Sequence, residues 1–344
     1  MYEAHFGLRE RPFDLTASPR FLFLTAKHRE ALSNLQYGIA SQKGLTLITG
    51  EAGTGKTTLL RAAIELQRDQ NVSTAYVNNP TLTRMEFYEL LAHQFGLDGS
   101  AAGSKTHFLI QIEHALRDRH RAGGISSLLV DEAQSLPDEL LEEIRLLSNL
   151  ETATVKLLPT VLIGQPELAD RLNQPSLRQL KQRIALRCAL APLDLRETAA
   201  YIAKRIRVAG GDSASLFTRE AVQTIYERSH GIPRTVNVIC DNALVSAFAL
   251  DRRIVGQDIV LEVCRDFDLA GPSVFEHAGP ILRLGMPVSE SRPAAPVPTP
   301  LVEPPPVQVT PAHAEAPAAA VPDEAASRPG LFAAVGRRRR FSFF

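Results

Sequence analysis

The sequence predicts an α/β protein: a three-layer sandwich on a parallel sheet, then a C-terminal all-α lid, then a Pro/Ala-rich tail. Three observations predict it. Apolar strand-like runs alternate with helix-periodic stretches up to about residue 193, and such alternation builds parallel sheets covered on both faces. A glycine-rich loop stands between the first apolar run and a helical stretch. After residue 193 only helical periodicity remains.

The elements follow in order. GLTLITG (44–50) is a short apolar run, the signature of a buried strand. A helix is expected over 56–70, then a strand at VSTAYVN (72–78). Helices are expected over 84–95 and 106–121, and a second buried strand at ISSLLVDE (125–132). Residues 138–150 carry the 3.6-residue period of an amphipathic helix. VKLLPTVLIG (155–164), with Pro159 near its start, and ALRCALAPL (185–193) read as the remaining strands. Helices over 196–209, 218–228, 233–250 and 256–266 complete the lid. The expected domains are an α/β domain over 1–193, a helical lid over 194–270 and a disordered tail over 271–344.

Composition narrows the function classes. The chain has 344 residues, 44% of them hydrophobic, enough for a sizeable core. Lys+Arg and Asp+Glu balance at 38 each, so bulk charge does not mark a nucleic-acid binder. Cys188, Cys240 and Cys264 are widely spaced and odd in number, which reads as buried small hydrophobes and not as a disulfide or metal set. The N-terminus lacks the apolar core of a signal peptide, and no run is long enough to span a bilayer. A cytoplasmic location is expected. Most of the 23 prolines fall after residue 270, with a PPP run at 304–306 and the ending RRRRFSFF. A segment so poor in large apolar groups cannot offset its ordering entropy.

GEAGTGKT (50–57) matches G-x-x-x-x-G-K-[ST] in full, with a strand before it and a helix after it. Gly50, Glu51, Ala52, Gly53, Thr54 and Gly55 form the loop whose amides face phosphates. Thr58 begins the helix with them. The glycines let the backbone curl, and the helix N-terminus adds its dipole. Lys56 supplies charge to the β- and γ-phosphates of ATP, and Thr57 offers its hydroxyl to Mg²⁺. LLVDE ends a buried strand with two carboxylates, Asp131 and Glu132. Asp131 is the candidate Mg²⁺ partner, and Glu132 the candidate general base or water-positioning group. Gln165, at the tip of the next strand, is a candidate for contacting the γ-phosphate or the attacking water. Asn78 or Asn79 is a candidate restraint on Glu132, and turn formation before Pro80 explains them equally well.

Two basic positions complete the set. LRQLKQRI (177–184) puts Arg178, Lys181 and Arg183 before a strand. Arg183 is the candidate finger for a neighbouring subunit's γ-phosphate, with Arg178 and Arg187 as alternatives. GIPR (231–234) opens a helix, which places Arg234 in its first turn, able to reach back to the nucleotide.

Together these residues resemble the AAA+ branch of P-loop ATPases. More narrowly, the chain resembles the ExeA-type ATPases of the general secretion pathway and their relatives from pilus-biogenesis and exosortase loci. The carriers are MYEAHFGLRERPFDLTASPRFLFLT, ITGEAGTGKTTLLR, LLVDEAQSL, LIGQPELADRL and SHGIPRTVNVICDNAL, within residues 1–268. The resemblance implies the roles given above for Lys56, Thr57, Asp131, Glu132, Gln165, Arg183 and Arg234. It also implies that residues 21–37 contribute to the adenine pocket. That family continues from its ATPase into a transmembrane helix and a periplasmic domain; here a Pro/Ala-rich stretch and Arg337–Arg340 stand in their place.

The expected function is ATP hydrolysis driving a secretion or envelope-assembly system at the inner membrane, as a homo-oligomer with protein partners. The basic-aromatic ending is a candidate contact for anionic lipid. The alternative is a DNA-dependent ATPase of the transposition or replication-initiation type. Residues 1–270 hold 31 bases and 32 acids, and no winged-helix signature follows the lid, which weighs against nucleic acid as a partner. A nucleotide-gated scaffold with little turnover is a third reading, which Glu132 argues against.

Overall fold

The computed structural model describes residues 1–16, 18–67, 71–78, 81–99, 103–212 and 215–269. The expected tail, with its proline run and Arg337–Arg340, lies outside the described residues, as does Asn79.

Five strands form one parallel sheet: β1 Leu45–Gly50, β2 Val72–Val77, β3 Ile125–Val130, β4 Thr160–Gly164 and β5 Ile184–Leu190, in the order β2-β3-β4-β1-β5. Burial follows position. Every residue of β1 and β4 is buried, whereas the edge strands β2 and β5 are only partly so. This is why β1 and β4 are apolar runs without alternation. The exposed edge of β2 is closed by Gln94, whose amide oxygen accepts from Tyr76 N at 2.6 Å and whose nitrogen donates to Tyr76 O at 3.0 Å.

The period-2 geometry of the strands sorts side chains into two cores. Leu45, Leu47, Leu128, Val130 and Leu162 point toward α3 (Arg84–Phe95), α4 (Lys105–Arg121) and α5 (Asp138–Leu147). Ile48, Leu129, Val161 and Ile163 point toward α1 (Ala26–Ala40) and α2 (Lys56–Gln67). Short helices α6 (Pro166–Arg171) and α7 (Arg178–Lys181) link β4 to β5. The chain then becomes helical: α8 Leu195–Val208, α9 Arg219–Ser229, α10 Pro233–Ala249 and α11 Gln257–Asp266. Asp194 and Glu197 form a reciprocal capping box at the start of α8, which fixes where the strand region gives way to helix.

The structure differs from the sequence reading in four places. The strand expected over 155–164 starts only at Thr160. Pro159 has no N–H to give a ladder, and its carbonyl accepts from Leu128 N at 3.0 Å. The helix expected over 138–150 stops at Leu147, where Ser148 caps it. The helix Ala26–Ala40 had no counterpart among the expected elements. Residues 1–16 were grouped with the sheet, yet Tyr2, Phe6, Leu8 and Phe13 share one core with Tyr201, Ile206, Ile225, Val236 and Val260 of the helical region. Aromatic side chains that far forward in sequence are buried only by elements far behind. Cys188 lies in β5 and faces the core beneath α1 and α2, and Cys240 and Cys264 lie in the helical core; all three are buried. No helix among the described residues is long and apolar enough to cross a membrane.

Candidate functional site

The loop after β1 curls because Gly53 and Gly55 hold φ of +83° and +96°, a region closed to most side chains. The same loop needs Gly53 for a second reason. A Cβ there would lie 2.7 Å from Arg234 Cβ and 3.0 Å from Ile232 Cγ2. The lid thus rests on the loop, and Arg234 N donates to Gly53 O at 3.2 Å. Pro233 occupies the first turn of α10, with its φ preset for helix, and Arg234 follows it on the cleft side.

Lys56 is buried, and its ammonium donates to Gly50 O at 2.8 Å and Glu51 O at 3.0 Å. Burial pushes its pKa down from the ordinary lysine value, and the carboxylates of Glu132 and Asp131 oppose that shift. Thr54 closes the turn, its hydroxyl donating to Glu51 O at 2.8 Å. At the end of β3, Asp131 Oδ2 accepts from Thr57 Oγ1 at 2.7 Å. Asp131 Oδ1 accepts from Glu132 N at 3.0 Å. Tyr76 OH donates to Asp131 Oδ2 at 3.4 Å; burial first, then that carboxylate, pushes the Tyr76 phenol up to about 12. A hydroxyl beside a carboxylate is the oxygen set that a hard divalent cation takes. The glycine cradle and this oxygen pair fit a Mg²⁺–nucleotide.

The loop, Glu132 and the lid line one cleft of about 330 Å³, with Asp131 just behind its lining through Thr57. Gly53, Thr54, Gly55, Lys56, Thr57, Thr58, Glu132 and Arg234 form its polar end. Its other end is walled by Leu15, Phe21, Leu22, Phe23, Tyr201 and Asn237. Of the 21–37 segment, Phe21, Leu22, Phe23 and His28 line the cleft. Tyr37 does not; it is exposed, with Lys43 Nζ 5.9 Å from its ring centroid. The wall from the N-terminal segment is held to α8 by Lys204, which donates to Leu22 O at 2.7 Å, and by Arg205. Arg205 Nε donates to Pro12 O at 2.5 Å, and its guanidinium stacks 4.7 Å from the Phe21 ring. Arg205 Nη1 also donates to Tyr201 OH, which donates to Asn237 Oδ1 at 2.9 Å.

Other candidate positions are not gathered at this cleft. Gln165 stands outside its lining; its backbone N–H donates to Gln134 Oε1 at 3.0 Å. Glu132 is held by Gln134, whose Nε2 donates to Glu132 Oε2 at 2.6 Å, and Asn78 makes no such bond. The restraint thus comes from two residues downstream on the same turn. Asn78 of the β2 tip does not supply it, and Asn79 lies outside the described residues. Arg183 immediately precedes β5, and its carbonyl accepts from Leu45 N at the opposite end of β1 from the loop. Six strand residues separate the two ends, or about 20 Å. Arg183 therefore cannot serve its own chain's cleft. Arg178, in α7, and Arg187, midway along β5 opposite Leu47, are both exposed.

The sequence reading missed His28. Its Nε2 lies 3.0 Å from Thr54 O, and its Nδ1 lies 2.8 Å from Thr25 Oγ1. A carbonyl only accepts, so Nε2 carries the hydrogen and the Thr25 hydroxyl donates to Nδ1. This pins α1 to the glycine loop through a neutral imidazole. Burial pushes the His28 pKa below its ordinary 6.5, partly countered by the bond to Thr54. The unfolded chain then takes up this proton first. Stability from His28 is full above about pH 6.5 and is lost as pH falls toward the folded value. Thermal melts of the native chain and His28→Gln across pH 5 to 8 should converge as pH falls below about 6.5. Parallel curves would contradict this.

Comparison with known proteins places these features. The AAA domain family matches residues 39–172. The chain is 45% identical over 263 residues to general secretion pathway protein A of Aeromonas hydrophila, covering 76% of this chain and 48% of that protein. It thus spans about half the length of that relative. Among solved structures, the ORC2 protein of Aeropyrum pernix, determined in ADPNP–ADP complexes, superposes with a TM-score of 0.58 at 18% identity, over 75% of this chain and 71% of that one. Cdc6p of Pyrobaculum aerophilum gives a TM-score of 0.58 at 17% identity, over 74% and 70% of the two chains. These likenesses show the P-loop AAA fold: five parallel strands followed by a helical region. The chain is an AAA protein, homologous to general secretion pathway protein A.

Proposed function

We propose that this chain hydrolyses ATP as a homo-oligomer and drives assembly or regulation of a secretion system at the inner face of the cytoplasmic membrane. One observation carries the catalytic part. The glycine loop, the Asp131–Glu132 strand end and Arg234 of the lid converge on a single cleft. The homology to a general secretion pathway protein supports the biological part.

In this reading the loop amides and Lys56 grip the phosphates. Thr57 and Asp131 hold a Mg²⁺, which when bound neutralises charge on the β- and γ-oxygens. Glu132 orients the water that attacks the γ-phosphate. Arg234 reaches in from the lid, so closure and nucleotide state are linked. Arg183, at the far end of the sheet, belongs to a neighbouring copy's cleft. The domain division at residue 193 is kept for the catalytic roles, with residues 1–16 moving with the lid.

Turnover of the purified chain tests this directly. Activity per subunit should rise with protein concentration, and Arg183→Ala should lower it by about 10³-fold with nucleotide affinity kept. Mixing Arg183→Ala with Lys56→Ala chains should restore part of the activity, since each supplies what the other lacks. A flat specific activity would remove Arg183 from the site. Titration with anionic liposomes should stimulate turnover. Stimulation by double-stranded DNA and not by liposomes would overturn the secretion role and favour a DNA-dependent ATPase.

A further inference from the structure

The glutamate at the end of β3 does not stand free, and what holds it lies on the next turn. Gln134 sits in the 3₁₀ turn Ala133–Ser135, immediately after Glu132. Its side-chain oxygen accepts from Gln165 N at 3.0 Å. A backbone N–H only donates, so this bond fixes which way the amide faces. The nitrogen is thereby turned to Glu132 Oε2, 2.6 Å away. One side chain joins the tips of two adjacent strands, β3 and β4.

The surroundings over-determine this arrangement. Arg171 Nη1 donates to Gln134 O at 2.6 Å and Leu136 O at 2.8 Å, and its other nitrogen pairs with Asp138. Gln134 approaches β4 closely only because residue 164 is glycine. A Cβ there would meet Gln134 Oε1 at 2.8 Å and Gln134 N at 3.2 Å. Glu132 itself sits at φ 51° and ψ 37°, a left-handed conformation that a non-glycine residue keeps only when its neighbours enforce it. The second carboxylate oxygen, Oε1, has no hydrogen-bond partner among the described residues, and Glu132 lines the cleft.

We propose that Gln134 is a positioning residue for Glu132. It holds one carboxylate oxygen, leaves the other for water, and ties the setting of that carboxylate to the tip of β4. Gln165 then acts on the site through its backbone N–H and Gln134. A shift of the β4 tip would be passed to Glu132 by one charge-assisted hydrogen bond. This inference rests on Glu132 being the water-orienting group.

A mutant cycle separates the two. Single-turnover ATP hydrolysis, ATP affinity and melting temperature are measured for the full chain with Gln134→Leu and with the near-isosteric Gln134→Glu. Each is made in the native background and in Glu132→Gln. Misplacing a reacting group by about 1 Å lowers rate on the order of 100-fold. Both substitutions should therefore slow native hydrolysis by roughly 10- to 100-fold, with ATP affinity unchanged within about twofold. In the Glu132→Gln background they should add no further loss, because groups acting as a unit are not additive. Equal losses in both backgrounds, an unchanged native rate, or a loss that tracks affinity and melting temperature would each overturn the role of Gln134. If Glu132→Gln itself hydrolyses ATP at the native rate, the catalytic reading fails and this inference fails with it.

Discussion

Glu132→Gln is expected to bind ATP as the native chain does and to hydrolyse it about 10²- to 10⁴-fold more slowly. The substitution keeps the side-chain shape and the acceptor oxygen that Gln134 holds at 2.6 Å. It turns the oxygen left for water into an amide nitrogen and removes the negative charge that orients and polarises water. The phosphate-gripping groups are elsewhere: Lys56 on the loop, Thr57 and Asp131 joined at 2.7 Å, and Arg234 on the lid. Affinity and turnover should thus separate cleanly, which equilibrium binding of fluorescent ATP and phosphate release would show. A parallel fall in both would mean that Glu132 shapes the cleft and does not act on the water.

Gly231→Ala is expected to be the most damaging single methyl in the chain. Gly231 lies between α9 and α10 at φ +70°. An added Cβ would fall 1.9 Å from Leu193 O and 2.9 Å from Leu193 C. Those are backbone atoms and cannot swing aside. The contact is tight because Leu193 N donates to Gly231 O at 2.8 Å, which docks the lid on the chain leaving β5. Left-handed φ alone costs roughly 1–2 kcal/mol; forced separation of this junction should bring the loss to about 3 kcal/mol or more. That corresponds to roughly 6–12 °C in melting temperature. It should also weaken ATP binding, because Arg234 is three residues on and rests against Gly53. Gly123→Ala is the control: φ is +77°, but nothing lies within 4 Å of its added Cβ. It should lose only about 1–2 kcal/mol. Similar melts for the two variants would show that the lid junction can yield.

The sequence by itself determined the elements whose chemistry is local. A loop that must cradle phosphates needs Gly53 and Gly55 at positive φ and a lysine next to them, so the motif is a contiguous string. The central strands β1 and β4 are legible because both faces are covered and no charged residue fits there. The Gly-x-Pro-Arg start of α10 is legible because proline fixes the first turn. The tertiary structure alone decided what meets across the sheet and the lid. Residues 2–13 carry aromatics whose partners lie some two hundred positions later, and no local period announces that. His28 and Thr54, Arg205 and Pro12, and Gln134 and Gln165 are pairs made by topology. The same holds for the arginines. A row of bases before β5 is visible in the string, but only the parallel sheet sets Arg183 a full strand length from its own cleft, because a parallel strand begins at the end opposite to the site.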